Sequence, residues 1–265
     1  MVGAFVLGVA VQEQREGYDD TPVLPGQKWK VHDRTRPYPA KVTPGTLVST
    51  APSDAIVLFD GKDLSQFCRF PKGDSTQPME PTKWVVEDGS FHVTQGAGNL
   101  FTKEKFGDCQ LHFEWRADKD IRGRGQGRGN SGVFFMGLYE VQVLESFGSA
   151  TYADGQAGSL YGQWPPLVNP VRPPGEWNAY DIVFKAPQFD GDKVVEPAYL
   201  TVFVNGVLVH DHMKLNGPTN HAVVLPYEKH GPEEHLEFQD HGPNQPPKYR
   251  NVWIRRLKGY DQPEK

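Results

Sequence analysis

Three stretches carry side chains whose types and spacing suit acid–base work on a polar ligand. In Tyr139-Glu140-Val141-Gln142-Val143, apolar and polar residues alternate. Successive strand side chains point to opposite faces, so Tyr139, Val141 and Val143 share one side, Glu140 and Gln142 the other. A second stretch sets Glu237, Gln239 and His241 opposite Leu236 and Phe238. A third adds Glu114 and Arg116 opposite Leu111, Phe113 and Trp115. If these strands are neighbours in one curved sheet, their polar rows converge on a cleft. A carboxylate, an imidazole and amides in one cleft are enough for general acid–base chemistry on a sugar. Each stretch also has a plainer reading, a strand with one solvated face. His241, followed by Gly242, also suits a turn that ends a strand.

Glu145 falls on the apolar parity with Val143. Either a bulge turns it outward, or it sits at the strand end in solvent. The spacing Glu140-x-Gln142-x-x-Glu145 is similar to the Glu-x-Asp-x-x-Glu of laminarinase-type retaining glycosidases, with Gln142 in the place of the middle Asp. That chemistry needs two carboxyl groups flanking the glycosidic bond. Ser149 to Gly175 is long and aperiodic, with Tyr152, Tyr161 and Trp164, which points to a packed functional loop. Glu176-Trp177-Asn178 either opens a strand or forms part of a rim. His210 and His212 share one parity, as a metal pair would, but an exposed strand edge is the simpler reading.

The elements that must position these residues are strands. No segment holds a helical apolar stripe for three turns. Short alternating runs are separated by turns drawn from 28 glycines and 23 prolines. Asp88-Gly89 and Asn205-Gly206 are two-residue hairpin signals. The pattern predicts an antiparallel sandwich, and 265 residues fit one such domain. A net charge of −5 gives no basic field for nucleic acid. Cys68 and Cys109 are too few for a disulfide scaffold and read as buried thiols. Met1 to Val11 is apolar, too short to span a bilayer, and reads as a remnant export signal rather than a terminal strand. Residues 12–52 read as an extended arm that Trp29 and Val31 pin to the body, 53–259 as a single domain and 260–265 as a tail.

A set of motifs in fixed order resembles the 3-keto-disaccharide hydrolase domain family, also described as 3-keto-glucoside 1,2-lyase/3-keto-2-hydroxy-glucal hydratase. They are Leu58-Phe59-Asp60-Gly61-Lys62-Asp63-Leu64, Asn130-Ser131-Gly132-Val133, Tyr139 to Ser146, Gly158-Ser159-Leu160-Tyr161, Arg172 to Asn178, Gln239-Asp240-His241-Gly242 and Arg250-Asn251-Val252-Trp253. Where the family often has Asp before the final Ser of the central motif, this chain has Glu145. The resemblance implies a concanavalin A-like jelly-roll sandwich of two antiparallel sheets. It implies cleavage of 3-keto-glycosides by C2 proton abstraction, C1 elimination and water addition, after a partner sugar 3-dehydrogenase has oxidised C3. Glu140, His241 and Glu145 are then the catalytic candidates. Gln142, Gln239, Asn130, Arg116, Tyr161, Glu176 and Trp177 are the substrate-binding candidates. A divalent metal ion on Glu140 and His241 would suit the enediolate, and no nucleotide or organic cofactor is expected. A periplasmic or secreted location and no membrane span complete the expectation. The competing readings are a non-catalytic carbohydrate-binding module and a laminarinase-type hydrolase.

Overall fold

Alternation decides which face each strand buries. Leu111, Phe113 and Trp115 have no exposed surface, while Gln110, Glu114 and Arg116 between them are partly exposed. The computed structural model describes residues 16–38, 40–41, 50–94, 96–242 and 245–257. The expected export remnant at 1–11 and the tail at 260–265 lie outside the described residues.

Two antiparallel sheets form the body. The larger runs, in spatial order, Val207–Lys214, Tyr199–Val204, Asn178–Lys185, Cys109–Arg116, Lys248–Arg256, Ser90–His92, Val85–Glu87, and Ile56–Phe59 also pairs with Lys248–Arg256. The smaller runs Phe67–Cys68, Leu100–Phe106, Glu234–Phe238, Ser131–Phe135, Tyr139–Val143. Followed along the chain, the strands pass back and forth between the two sheets. That is the expected all-β, concanavalin A-like jelly-roll sandwich. Among the described residues the only helical pieces are single 3-10 turns, and no helix is long and apolar enough to cross a membrane.

The inward faces meet in an aromatic core. Phe91 of the larger sheet has the rings of Phe59 at 4.9 Å, Tyr249 at 5.4 Å, and Phe67 and Phe238 of the smaller sheet at 5.8 and 5.9 Å. Most of these contacts are tilted or edge-on, the arrangement that ring quadrupoles favour. Both cysteines are buried free thiols.

Residues 16–38 do not run extended. Tyr18 N donates to His32 O and Leu24 N to Trp29 O, both at 2.9 Å, so the arm folds back on itself. Gly17 (φ 138°) and Gly26 (φ 70°) supply backbone conformations that other residues adopt at a cost. Val31, Leu24 and His32 are buried, whereas Trp29 is only half-buried. His210 and His212 are not a metal pair. His210 Nε2 is 2.9 Å from the Gly158 carbonyl, and beyond a bulge His212 (φ 46°) stacks on Tyr199 at 4.3 Å.

Both hairpin signals form hairpins, with left-handed φ at Asp88 and Gly89 and at Asn205 and Gly206. Asn205 does more than turn. Its Nδ2 donates to Pro170 O and Asn178 Oδ1, both at 2.9 Å, and its Oδ1 accepts from Ala179 N at 2.8 Å. Asn205→Ala loses these buried bonds and the αL-tolerant residue together, and should cost about 2–4 kcal/mol in denaturant unfolding. Asn205→Gly keeps the turn and should cost less; equal losses would mean that the bonds, and not the turn conformation, account for the cost.

Candidate active site

The outward face of the smaller sheet carries two cross-strand rows. Register pairs Glu140 with Phe134 and Phe134 with Glu237, which makes one row. The next row pairs Gln142 with Gly132, and Gln239 N donates to Gly132 O at 2.9 Å just past the strand end. Tyr139, Val141, Val143, Leu236 and Phe238 face the core, on the expected parity. The outward face is not bare, however. Segments 149–166 and 216–221 and the arm roof it, so Glu140 is only 5% exposed and Gln142 1%.

Between face and roof lies a cavity of about 570 Å³. Glu140, Gln142, Asn130, Gln239, His241 and Tyr161 all line it. Gly132 makes the room. A Cβ there would collide with Oε1 of Glu140, so the carboxyl lies in the space that a side chain would fill. Among the described residues nothing donates a hydrogen bond to this carboxyl, while Thr219 Oγ1 accepts from Glu140 N at 2.9 Å. Burial, with the nearby Glu237 charge adding to it, pushes the Glu140 carboxyl well above the usual glutamate range. Burial likewise pushes Glu237 up to about 7, against a bond from Asn99.

Gln126, on the loop before the sheet, organises the floor. Its Oε1 accepts from Gln142 Nε2 at 3.0 Å, and its own Nε2 donates to Gly155 O at 2.8 Å and Thr151 Oγ1 at 3.0 Å. Asn130 Nδ2 donates to Gln126 O at 3.0 Å and lies 3.3 Å from His241 Nε2, a donation that needs the imidazole proton on Nδ1. Burial lowers the His241 pKa, which favours that neutral ring. Gln142 Oε1 and Gln239 Oε1 are buried acceptors with no partner among the described residues. Two orphaned carbonyls beside a cavity are places for ligand hydroxyls.

The roof is aromatic. Tyr152 OH and Tyr161 OH are 2.7 Å apart, and Tyr161 OH is 3.2 Å from His221 Nδ1. Burial raises both tyrosine pKa values, so the phenols keep their protons. Behind them the His32 ring packs, tilted, on Tyr152 at 3.9 Å, and His32 bonds Asp154 through both its backbone N (3.0 Å) and Nδ1 (3.1 Å). Glu16 and Tyr18 of the arm close one end. Sequence reasoning missed Gln126, Thr219, His221 and the arm residues. All sit on aperiodic segments, where no alternation marks a face.

The 3-keto-alpha-glucoside-1,2-lyase-like domain model matches residues 54–255. The chain belongs to this family. It is 44% identical to a crystal structure from Parabacteroides distasonis provisionally assigned as a glycosyl hydrolase, over 84% of this chain and 93% of that one, with a TM-score of 0.73. A second structure from that organism, with the same provisional assignment, shares the fold: 22% identity, TM-score 0.56, 77% of this chain and 94% of that one. A 3-keto-disaccharide hydrolase of Bacteroides thetaiotaomicron is 28% identical over 162 residues, which is 48% of this chain. The chain spans about half the length of that curated relative, 51%.

Not every motif residue of this family domain reaches the cavity. Arg116, Glu176 and Trp177 lie on the outward face of the larger sheet, across the core. Trp177 lies there within cation–π distance of both Arg116 (4.8 Å) and Arg250 (4.1 Å), beside Glu114. Parity correctly turns Glu114 and Arg116 away from the core, but their strand belongs to the other sheet. Glu145 is neither turned outward nor in solvent. It is fully buried outside the cavity, with Oε1 accepting from Phe147 N at 2.9 Å. The laminarinase-type pairing with Glu140 is therefore not formed. Nor does the donor set fit the expected cation, since among the described residues no three His, Cys, Asp or Glu side chains converge to hold one.

Burial pushes the Glu145 carboxyl up to about 7, partly offset by its bond from Phe147 and by Arg128. Its folded pKa lies above its unfolded value, so its stabilising contribution is complete below about 4.3 and lost as pH rises towards 7. Glu145→Gln should remove that loss and be more stable than wild type at pH ~8, by on the order of 2 kcal/mol. Urea melts at pH ~4 and ~8 check this; an equal difference at both would detach the effect from ionisation.

Proposed function

We propose that this protein cleaves glycosides whose glucose ring carries a ketone at C3. The observation that supports the reading is the Glu140 carboxyl, alone over Gly132, buried, and with raised proton affinity. A C3 ketone acidifies the C2 proton, and a carboxylate of raised pKa is a base matched to removing it. Glu140 takes that proton. The C2–H electrons form the C1=C2 bond as the C1–O bond breaks, and the leaving oxygen takes a proton from the Tyr152–Tyr161 pair. Water then adds its oxygen to C1 and gives its proton back to the Tyr152–Tyr161 pair, while Glu140 returns a proton to C2, which restores both groups. The sum is hydrolysis to the free alcohol and 3-keto-glucose.

The other residues serve orientation. Gln142 Oε1 and Gln239 Oε1 accept from sugar hydroxyls, and their pairing to either side of Gly132 fixes their spacing. His241 stands on the same wall as a neutral second proton carrier, oriented by Asn130. The names of the family and of the curated relative point to the same substrate class. An oxidation at C3 must come first, so the functional partner is a sugar 3-dehydrogenase.

Matched 3-keto and unoxidised glucosides test the reading. Turnover of the keto sugar only, with solvent deuterium entering C2, is the expected result; cleavage of the unoxidised sugar would overturn it. Glu140→Gln should lower kcat by about 10³-fold without unfolding the protein. The base must be ionised, so kcat/KM should fall on acidification at a pH above the ordinary glutamate value of about 4.3. Gly132→Ala should act through Glu140, because strands accept alanine and the new methyl displaces the carboxyl. A loss of about 10²-fold in kcat with little change in melting temperature is expected; unchanged kcat would show that the carboxyl position is not critical.

A further inference from the structure

A second cavity, of about 1000 Å³, shares Glu16, Tyr18 and Tyr152 with the first. The two compartments therefore adjoin at these residues. If the first holds the keto sugar, the second holds what leaves it. Its composition differs from the first. Arg34 of the arm and Arg124 and Arg128 of the preceding loop line it, against one carboxylate, Glu16.

These guanidinium groups are unequally occupied. Arg34 is held by Asp19 at 3.0 Å and by Gly17 O at 2.9 Å. Neither Arg124 nor Arg128 forms a salt bridge among the described residues. Arg128 Nη1 donates to the carbonyls of Ile121 (3.2 Å) and Gly123 (3.4 Å), and its Nε is buried without a partner. Glu145 feels the Arg128 charge, but its carboxyl is bonded to Phe147 N instead. Arm and loop also fit each other, since a Cβ on Gly125 would run into the Glu16 carboxyl. The arm lies before the family-matched residues 54–255, whereas the 123–128 loop and Gly148 to Tyr152 lie within them, so the arm completes a compartment whose other wall is part of the matched domain.

We propose that the arm and the 123–128 loop form an aglycone subsite for a group bearing a negative charge. The proposal rests on reading the first cavity as the site of the sugar ring. Guanidinium forks match the paired oxygens of carboxylates, sulfates and phosphates, and aromatic walls such as Tyr18 and Tyr152 limit screening by water. Glu16 stands at the junction of the compartments, so the anion belongs at the Arg124–Arg128 end.

Calorimetric titration with unoxidised phenyl, 4-carboxyphenyl and 4-sulfophenyl glucosides tests this as binding, without turnover. Both anionic probes should bind at least about fivefold tighter than the phenyl glucoside at low salt, with the advantage shrinking at ~0.5 M salt. Arg124→Ala/Arg128→Ala should abolish the advantage and leave phenyl glucoside affinity unchanged. The Lys/Lys pair should keep part of it, which separates charge from misfolding. Equal affinity for all three probes, binding of none, or a preference that survives the Ala/Ala change would overturn the proposal. Failure of the 3-keto reading would appear instead as no turnover of 3-keto phenyl glucoside.

Discussion

Everything at the site depends on one steric allowance, the missing side chain at Gly132. A carboxyl with almost no exposed surface needs space, and an outward-facing strand position without a Cβ provides it. The same residue sits between Gln142 and Gln239, so one glycine sets both the floor under Glu140 and the spacing of the two orphaned amide carbonyls. Strand register is rigid, because a one-residue slip would send Val141 outward and Glu140 into the aromatic core. The core thereby holds the site geometry even though none of its residues faces the cavity.

A second constraint ties the roof to the arm. Asp154 accepts from His32 N and Nδ1 and lies 3.9 Å from Arg36 Nη1, all with nearly no exposed side-chain surface. It belongs to the segment that carries Tyr152 and Tyr161. Gln163, on the same segment, accepts through its carbonyl from Gln27 and Arg36. The aromatic roof is thus clamped from behind by residues before position 40. Tyr18 and Glu16 reach the cavity from that clamped arm.

Much of this was legible in the chain because alternation reports faces. It assigned the outward sides of 139–143 and 234–238 correctly, along with both Asx-Gly hairpins. It could not report which sheet a strand joins, and so Arg116, Glu176 and Trp177 were expected in a cleft that lies across the core from them. It could not describe the roof either. Gln126, Thr219 and His221 sit on segments whose conformation comes from non-local bonds, such as Glu140 N to Thr219 Oγ1, rather than from any local period. Glu145 followed parity faithfully into the interior. The interior tolerates this carboxyl because protonation and a backbone donor lower the cost of burying it.

The position of Glu145 also bears on the choice between chemistries. A retaining glycosidase needs two carboxyl groups across the anomeric carbon, one ionised and one protonated. In this cavity the partner that the spacing suggested has turned away, and Glu237, though close enough to raise Glu140, is bonded to Asn99 and does not line the wall. What lines this cavity is the buried Glu140 carboxyl among amides, phenols and neutral imidazoles, with the less buried Glu16 at the arm end. Without a carboxylate from Glu145 or Glu237 across from Glu140, this set is poorly built to stabilise an oxocarbenium ion. It suits a proton transfer in which a single base collects charge from carbon and a neighbouring donor returns a proton to oxygen. In the proposed reaction the substrate brings its own acidity, from the ketone next to the scissile carbon's neighbour.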